Sequence, residues 1–393
     1  MQWSPQQDAA LTQFGRWFSG NPHGEVFRLF GAAGTGKTSL AKELRQMISG
    51  TVLYGAYTGK AALVMRSKGC EGASTVHSLL YKVKDKSKKK IMDLEALIKE
   101  TEDPEKLRIL QKRLGEEQAE HSKPGFSLNE FSPIRDADLV IIDECSMIDQ
   151  QVGHDLAYFK TPILALGDPF QLPPVKGVGY FDQNDPDVLL TEVHRTALES
   201  PVLQLATRVR EGGDLSPGQY GDSLVTSARD CPRDRNGLSH DQVLVGKNKT
   251  RISGNINMRA QLGRKGVMPT AEDRIVCLRN NHEAGLLNGM LFTVVSAIDD
   301  GDSLEMVIRP DDGGIDRTVI AHREIFLGQP VPFYGRRDRE EFDFGYALTA
   351  HKAQGSEWKS VFVVDESASF RADRYKWLYT AITRASERVT IIK

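Results

Sequence analysis

One stretch of this chain, Gly31-Ala32-Ala33-Gly34-Thr35-Gly36-Lys37-Thr38, has the spacing G-x-x-x-x-G-K-[ST]. Glycines so placed let backbone N–H groups close around phosphate oxygens, and a helix starting at the lysine adds the positive end of its dipole. Lys37 would reach the β- and γ-phosphates of ATP and the Thr38 hydroxyl would ligate Mg²⁺, with Ser39 next in the first helical turn. A Gly-rich turn without a ligand is the competing reading, and it gives no reason for the strand and helix patterns on either side. Asp143-Glu144 ends an apolar run. Asp143 suits the Mg²⁺ shell, and Glu144 suits a base that activates the attacking water. Paired acids also decorate helix starts, so it is the preceding phosphate loop that turns this pair toward catalysis. Gln171, within Gly167-Asp168-Pro169-Phe170-Gln171-Leu172-Pro173-Pro174, would hydrogen-bond the γ-phosphate or the lytic water. Alone before two prolines it would read as a turn residue.

These groups need rigid elements behind them. Val26 to Phe30 reads as a strand entering the loop, Leu40, Leu44, Met47 and Ile48 have helical spacing, and Thr51 to Tyr54 reads as the next strand: a βαβ unit. Leu139 to Ile142 and Ile163 to Leu166 are further buried strands that deliver polar residues at their carboxyl ends, where open α/β sheets bind ligands. Ala10, Leu11, Phe14, Trp17 and Phe18 predict an opening helix that stops near Gly20-Asn21-Pro22. From residue 81 to 136 the texture changes. Lys82, Lys84, Lys86, Lys88, Lys89 and Lys90 form a basic run, read either as a contact to duplex or as a solvated face. Ile91, Leu94 and Ile98, then Leu107, Leu110 and Leu114, predict two amphipathic helices broken at Asp103-Pro104. A second α/β unit draws strands from Gln242 to Val245, Val361 to Val364 and Val389 to Ile392. Inside it, Met290 to Val295, Leu304 to Ile308 and Arg317 to Ile320 alternate with acidic-Gly turns, the punctuation of a small antiparallel barrel.

The 393 residues suffice for two to four domains. Lys plus Arg total 51 against 53 Asp plus Glu, a net charge of −2 that neither advertises nor excludes nucleic acid. Cys70, Cys145, Cys231 and Cys277 are scattered, without a CxxC pair, which points to reduced thiols in a cytoplasm. No apolar run reaches the ~18 residues of a membrane span, and Met1-Gln2-Trp3-Ser4-Pro5 lacks a signal-peptide layout.

Asp143-Glu144-Cys145-Ser146-Met147, the Gly167–Pro174 segment and His351-Lys352-Ala353-Gln354-Gly355-Ser356-Glu357 together resemble superfamily 1 helicases, within them the superfamily 1B group of RecD/Dda type, which includes phage proteins. The resemblance runs from Gln7 to the C-terminus. It implies that Gln7 reads adenine, with Gln6 as the off-by-one alternative. Tyr57-Thr58-Gly59-Lys60-Ala61-Ala62 resembles motif Ia, with Tyr57 where the family usually has Pro, and Thr75-Val76-His77-Ser78 resembles motif Ib. Thr58, Lys60, Thr75 and His77 would then track DNA, although His77 also reads as a structural histidine. Leu190-Thr191-Glu192-Val193-His194-Arg195 resembles motif IV, and Tyr379-Thr380-Ala381-Ile382-Thr383-Arg384-Ala385 motif VI. Arg195 and Arg384 are the implied arginine fingers, rigid cations for the charge that develops on the transferred phosphoryl group. Thr349, His351 and Lys352 would face phosphates of the track, while Gln354, Gly355 and Glu357 would face nucleotide, Glu357 at the ribose. Phe170 is a candidate for stacking on bases, or a core phenylalanine.

The expected architecture is α/β with two RecA-like P-loop domains. Residues 1–80 and 137–188 form the first, interrupted by a charged helical insertion at 81–136. Residues 189–274 and 332–393 form the second, interrupted at 275–331 by a barrel that resembles the family's SH3-like domain. The implied activity is ATP- and Mg²⁺-dependent 5′-to-3′ translocation on single-stranded DNA and unwinding at a single/double-strand junction. A monomeric motor is expected, without membrane association, in the cytoplasm of a bacterial or phage-infected cell, beside replication or recombination proteins. The rival from another class is a P-loop ATPase that remodels a protein or nucleoprotein complex without unwinding.

Overall fold

The structure, a computed structural model, describes residues 3–83, 89–101, 103–122, 126–174, 177–192, 199–281, 283–331 and 339–393. Arg195, with Val193 and His194, lies outside the described residues, as do Lys84, Lys86 and Lys88 of the basic run.

The first six-stranded sheet is parallel throughout, in the order Ser74–Thr75, Val52–Ala56, Leu139–Asp143, Ile163–Gly167, Val26–Gly31, Val188–Leu190. Alternate side chains of its central strands feed two separate cores, because strand side chains alternate between faces. Leu139, Ile141, Leu164 and Leu166 pack with Phe14, Leu40, Leu44 and Met65 on one face. Val140, Ile142, Ile163 and Ala165 pack with Leu80, Val152 and Leu156 on the other. Burial on both faces explains why these strands read as unbroken apolar runs. The opening helix, Pro5–Ser19, starts at a capping box in which Ser4 and Gln7 bond each other's backbone N–H.

The second sheet runs Ala347–Thr349, Gln242–Val245, Trp358–Val364, Ala385–Ile392, Ser223–Thr226, Gly218–Tyr220, parallel except for its last pair. Its core joins Leu244, Val361, Val363 and Ile391 to Leu205 and Val209 of the Pro201–Arg210 helix and to Trp377 and Ile382 of the Arg374–Ile382 helix. The architecture is therefore α/β with two parallel-sheet units, the first of which holds the Gly-rich loop.

The insertion in the second unit is a five-stranded antiparallel sheet: Arg317–Ala321, Leu304–Pro310, Leu291–Asp299, Arg274–Cys277, Phe342–Phe344. It runs past the expected end at residue 331. Phe342–Phe344 is only three residues long, too short to leave a periodic signal, and it is held by pairing with Arg274–Cys277. In the first unit, Lys89–Glu100 and Pro104–Ser122 are the two expected helices. They ride on a short antiparallel ribbon, Tyr81–Val83 with Phe126–Leu128. Lys82 and Lys90 are exposed, and Lys90 pairs with Glu117 across the two helices. Among the described residues no helix is long and apolar enough to cross a membrane.

Candidate functional site

The Gly-rich loop joins the Val26–Gly31 strand to the Lys37–Gln46 helix. Gly36 caps that helix with φ +79°, a conformation that strains any residue with a Cβ. A Cβ on Gly31 would lie 2.6 Å from Thr35 Oγ1 and 2.9 Å from Leu190 Cβ, so this position is closed to side chains. Lys37 Nζ donates to the carbonyls of Gly31 (2.6 Å) and Ala32 (3.1 Å), folded onto the loop it would guard. Thr38 and Ser39 follow in the first turn, facing partly and fully outward.

Asp143 and Glu144 stand at the carboxyl end of the Leu139–Asp143 strand, two strands from the loop. Asp143 Oδ1 accepts from the Glu144 N–H at 2.9 Å. Glu144 has φ +54°, uncommon for a residue with a side chain and costing roughly 1 kcal/mol, a strain that concentrates at functional sites. Burial pushes both carboxyls above the ordinary carboxylate range; for Glu144 the nearby Arg384 guanidinium opposes this. Arg384 belongs to the other parallel-sheet unit. It is 6 % exposed and donates to Thr380 O, Ser356 O and Thr383 Oγ1, so its guanidinium is held rigidly. Gln171 is 5 % exposed, and its Oε1 is buried with no hydrogen-bond partner. Buried polar atoms are seldom left unpaired without a ligand or water to meet them.

A Mg²⁺ ion fits this donor set. It keeps most of its shell as water and phosphate oxygen and needs one or two protein ligands, which the Asp143 carboxylate and the Thr38 hydroxyl would supply. Among the described residues there is no cluster of three or more His, Cys, Asp or Glu that would hold a metal unaided.

Between the two units runs a polar seam that residue spacing did not reveal. Tyr379 Oη donates to Asp168 Oδ2 (2.7 Å) and accepts from the N–H of Ala33 in the loop (2.8 Å). Thr380 Oγ1 accepts from Leu172 N (2.9 Å), and Gln354 Nε2 donates to Leu172 O (3.0 Å). Tyr379 and Thr380 sit in the same segment as Arg384, the signal that could have found them.

Three of the expected residues have partners within the protein. Gln354, expected at the nucleotide, is 3 % exposed and spends its amide on Leu172, because docking the two sheets covers it. Gln7, expected to read a base, is 2 % exposed. Its Oε1 accepts from Ser4 N and its Nε2 donates to Thr35 O, so it braces the loop from beneath. Its neighbour Gln6 bonds Thr191 and Glu192, anchoring the segment that leads toward Arg195. Phe170, read as a candidate for stacking on bases or a core phenylalanine, is partly buried and packs edge-on to Tyr379 with the Arg210 guanidinium 5.4 Å from its ring centre.

The residues expected to track DNA come from both parallel-sheet units. Thr58 caps the Gly59–Ser67 helix, accepting from Ala61 N at 3.2 Å. A Cβ on Gly355 would come within 3.1 Å of the Thr58 hydroxyl, so the two units touch there. Lys60 Nζ lies 5.1 Å over the Trp358 ring, and burial lowers its pKa. Thr75 caps the Val76–Leu80 helix, on which His77 is exposed and next to Tyr57 and Tyr81. On the second unit, Thr349 ends the Ala347–Thr349 strand, His351 and Lys352 follow it, and Lys352 Nζ reaches Asn288 of the antiparallel unit at 3.2 Å. Glu357 is exposed beside them.

Comparison with known proteins agrees with this geometry. The AAA domain family matches residues 4–221, more than half of the chain, and the UvrD-like helicase C-terminal domain matches residues 344–392. Over 388 residues the chain is 27 % identical to an ATP-dependent RecD2 DNA helicase of Deinococcus radiodurans, covering 92 % of this chain and 46 % of that protein. The chain thus spans about half the length of that curated relative. Solved structures show a like fold. Two coordinating Pif1 helicases at forked dsDNA give a TM-score of 0.58 at 16 % identity, covering 99 % of this chain and 92 % of that one. A Bacteroides Pif1 helicase in complex with ADP-AlF3 and ssDNA gives 0.56 at 15 %, with the same coverage. The Candida albicans Pif1 helicase gives 0.54 at 18 %, covering 100 % and 94 %.

Proposed function

We propose that this chain, which belongs to the AAA domain family, is a RecD-like motor of superfamily 1B, driven by ATP, that moves 5′ to 3′ along single-stranded DNA and unwinds duplex ahead of it. The observation that carries this reading is that Tyr379 of the second parallel-sheet unit bonds Asp168 and the Ala33 N–H of the phosphate loop in the first, in the same segment as Arg384. A hydrolytic site split between two units works only while they are closed, so turnover and relative motion are coupled.

In this reading Gly31, Gly34, Thr35, Gly36, Lys37 and Thr38 hold the phosphates of ATP, and Lys37 exchanges its carbonyl partners for phosphate oxygens. Thr38 and Asp143 would hold Mg²⁺, which would supply positive charge to the phosphates when bound. Glu144 takes a proton from the attacking water, Gln171 orients that water through its unpaired Oε1, and Arg384 and Arg195 meet the charge developing on the phosphoryl group. Thr58, Lys60, Thr75, His77, Thr349, His351 and Lys352 grip the DNA backbone on the two units. Alternate tightening of these grips as the cleft closes and opens yields directed steps by a monomer. The domain division follows the sheets, with residues 81–136 and the antiparallel unit as insertions, the latter an SH3-like marker of the 5′-to-3′ group.

The test uses duplexes with either a 5′ or a 3′ single-stranded tail, in DNA and in RNA, with ATP and Mg²⁺. Unwinding of the 5′-tailed DNA alone is expected. Unwinding of only the 3′-tailed substrate overturns the polarity, and ATPase activity that single-stranded DNA does not raise favours the remodelling rival.

A further inference from the structure

Three rings of the second parallel-sheet unit form a row. Phe370 stacks on Trp377, with ring centres 5.4 Å apart and planes 13° from parallel, and His351 lies against Phe370 at 5.7 Å and 39°. His351 follows the Ala347–Thr349 strand among the residues expected at DNA. Trp377 is fully buried on the Arg374–Ile382 helix, which carries Tyr379 and ends just before Arg384. Phe370 belongs to neither segment. It sits on the Ser367–Asp373 turn, which is tied to the loop after the Gln242–Val245 strand. Glu366 Oε2 accepts from the N–H groups of Gly246 and Lys247 (both 2.8 Å), and Glu366 Oε1 accepts from Thr250 Oγ1 (2.7 Å). A Cβ on Gly246 would come within 2.9 Å of Phe370 Cε2, so ring and loop are already in contact. The next residue, Arg371, has φ +48° and ψ −111°, outside the regions open to a residue with a side chain. Such strain persists only where the surroundings over-determine it, here between the Glu366 clamp and the Trp377 stack.

We propose that Phe370 is a positioning residue that couples DNA at His351 to ATP hydrolysis at Arg384. The proposal rests on the helicase reading and assigns to it a coupling side chain that touches neither ligand. Packed side chains have few alternative settings, so a DNA phosphate that fixes the His351 ring favours one setting of Phe370. Trp377 takes up that setting within the same helix as Tyr379, whose hydroxyl bridges Asp168 and the Ala33 N–H. Bound DNA thereby favours the closed cleft in which Arg384 meets the phosphoryl group. A phenylalanine that only filled the core would need no strained residue beside it.

The experiment measures ATPase with and without oligo(dT), and oligo(dT) affinity, on the full chain as wild type, Phe370→Leu, Phe370→Tyr, His351→Ala and the double variant His351→Ala with Phe370→Leu. Leucine keeps the apolar bulk without the ring, and tyrosine keeps the ring. Phe370→Leu is expected to retain the basal rate and the affinity while its stimulated kcat falls about twofold to tenfold, the worth of one aromatic pair. Phe370→Tyr should keep most of the stimulation. In the double variant the two losses should not add, since both break the same row. Fully additive losses, a basal rate that falls with the stimulated one, or a loss of affinity each overturn the coupling. A leucine variant that circular dichroism shows unfolded is replaced by Phe370→Met, to which the same outcomes apply. Stimulation at the wild-type level in these variants overturns the coupling alone, whereas a wild type that oligo(dT) does not stimulate overturns the helicase reading as well.

Discussion

The hydroxyl of Tyr379 joins Asp168 to the phosphate loop, 2.7 Å from the carboxylate and 2.8 Å from the Ala33 N–H. Tyr379 comes from one parallel-sheet unit and both its partners from the other, so this one oxygen reports whether the cleft is shut. Burial, reinforced by Asp168, raises the phenol pKa, which keeps it a donor. Tyr379→Phe preserves the ring packing against Phe170 and removes only the bridge. A buried hydrogen bond to a charged group is worth about 1.5–3 kcal/mol, so the DNA-stimulated kcat should fall roughly tenfold or more. In a double-mutant cycle with Asp168→Asn the losses should not add; fully additive losses would refute the bridge.

Lys37→Ala should weaken nucleotide binding and abolish turnover, because the main cation on the β/γ-phosphates is gone. Glu144→Gln should keep ATP and DNA bound while hydrolysis stops, since shape survives and the base does not. Filter binding beside steady-state ATPase separates the two, and normal turnover by Glu144→Gln would show that another group is the base.

Glu144 must be ionised to take a proton, so activity is full above its pKa and is lost as pH falls through it. Burial raises that pKa above the ordinary 4.5, and Arg384 lowers it. The acid limb of kcat/KM for ATP should therefore lie above pH 4.5 in the wild type and move higher still in Arg384→Ala. Superimposable limbs would contradict this pairing.

Arg384→Ala should lower kcat far more than it weakens ATP binding, with a loss of order 10³ within the range known for arginine fingers. Arg384→Lys should not restore the rate fully, since an ammonium cannot reproduce bonds to Thr380, Ser356 and Thr383 at once. Single-turnover ATPase and nucleotide titration distinguish the effects. A variant losing affinity alone would not be missing a finger.

Removing residues 91–114 and closing the gap with a short linker should spare DNA-stimulated ATPase and impair unwinding. Gel-based unwinding and ATPase assays on one preparation decide it. Equal loss of both activities would mean that the helices only support the fold.

How much of this was legible depends on how local the cause is. The loop around Lys37 needs eight consecutive residues, and the doubly buried strands before Asp143 and Asp168 leave unbroken apolar runs, so both were readable. The Tyr379 bridge depends on how two sheets dock, which no periodicity encodes. The same docking buries Gln354 and packs Phe170 against the seam, and Gln7 braces the phosphate loop, contacts that a resemblance of motifs does not carry. Phe342–Phe344 and Ala347–Thr349 are three-residue strands fixed by their neighbours, with too few alternations to register.

The ribbon that carries the helical insertion pairs Tyr81 with Leu128 and Val83 with Phe126, so the chain leaves and re-enters the first unit at adjoining points. Whatever lies beyond those six residues can lengthen, shorten or change its secondary structure without shifting a strand of the sheet that holds ATP. In evolutionary terms the ribbon is a socket. Lineages could exchange the tip to suit different junctions, tails or partner proteins while inheriting the engine unchanged, and an engineer could graft a foreign tip at the same two strands.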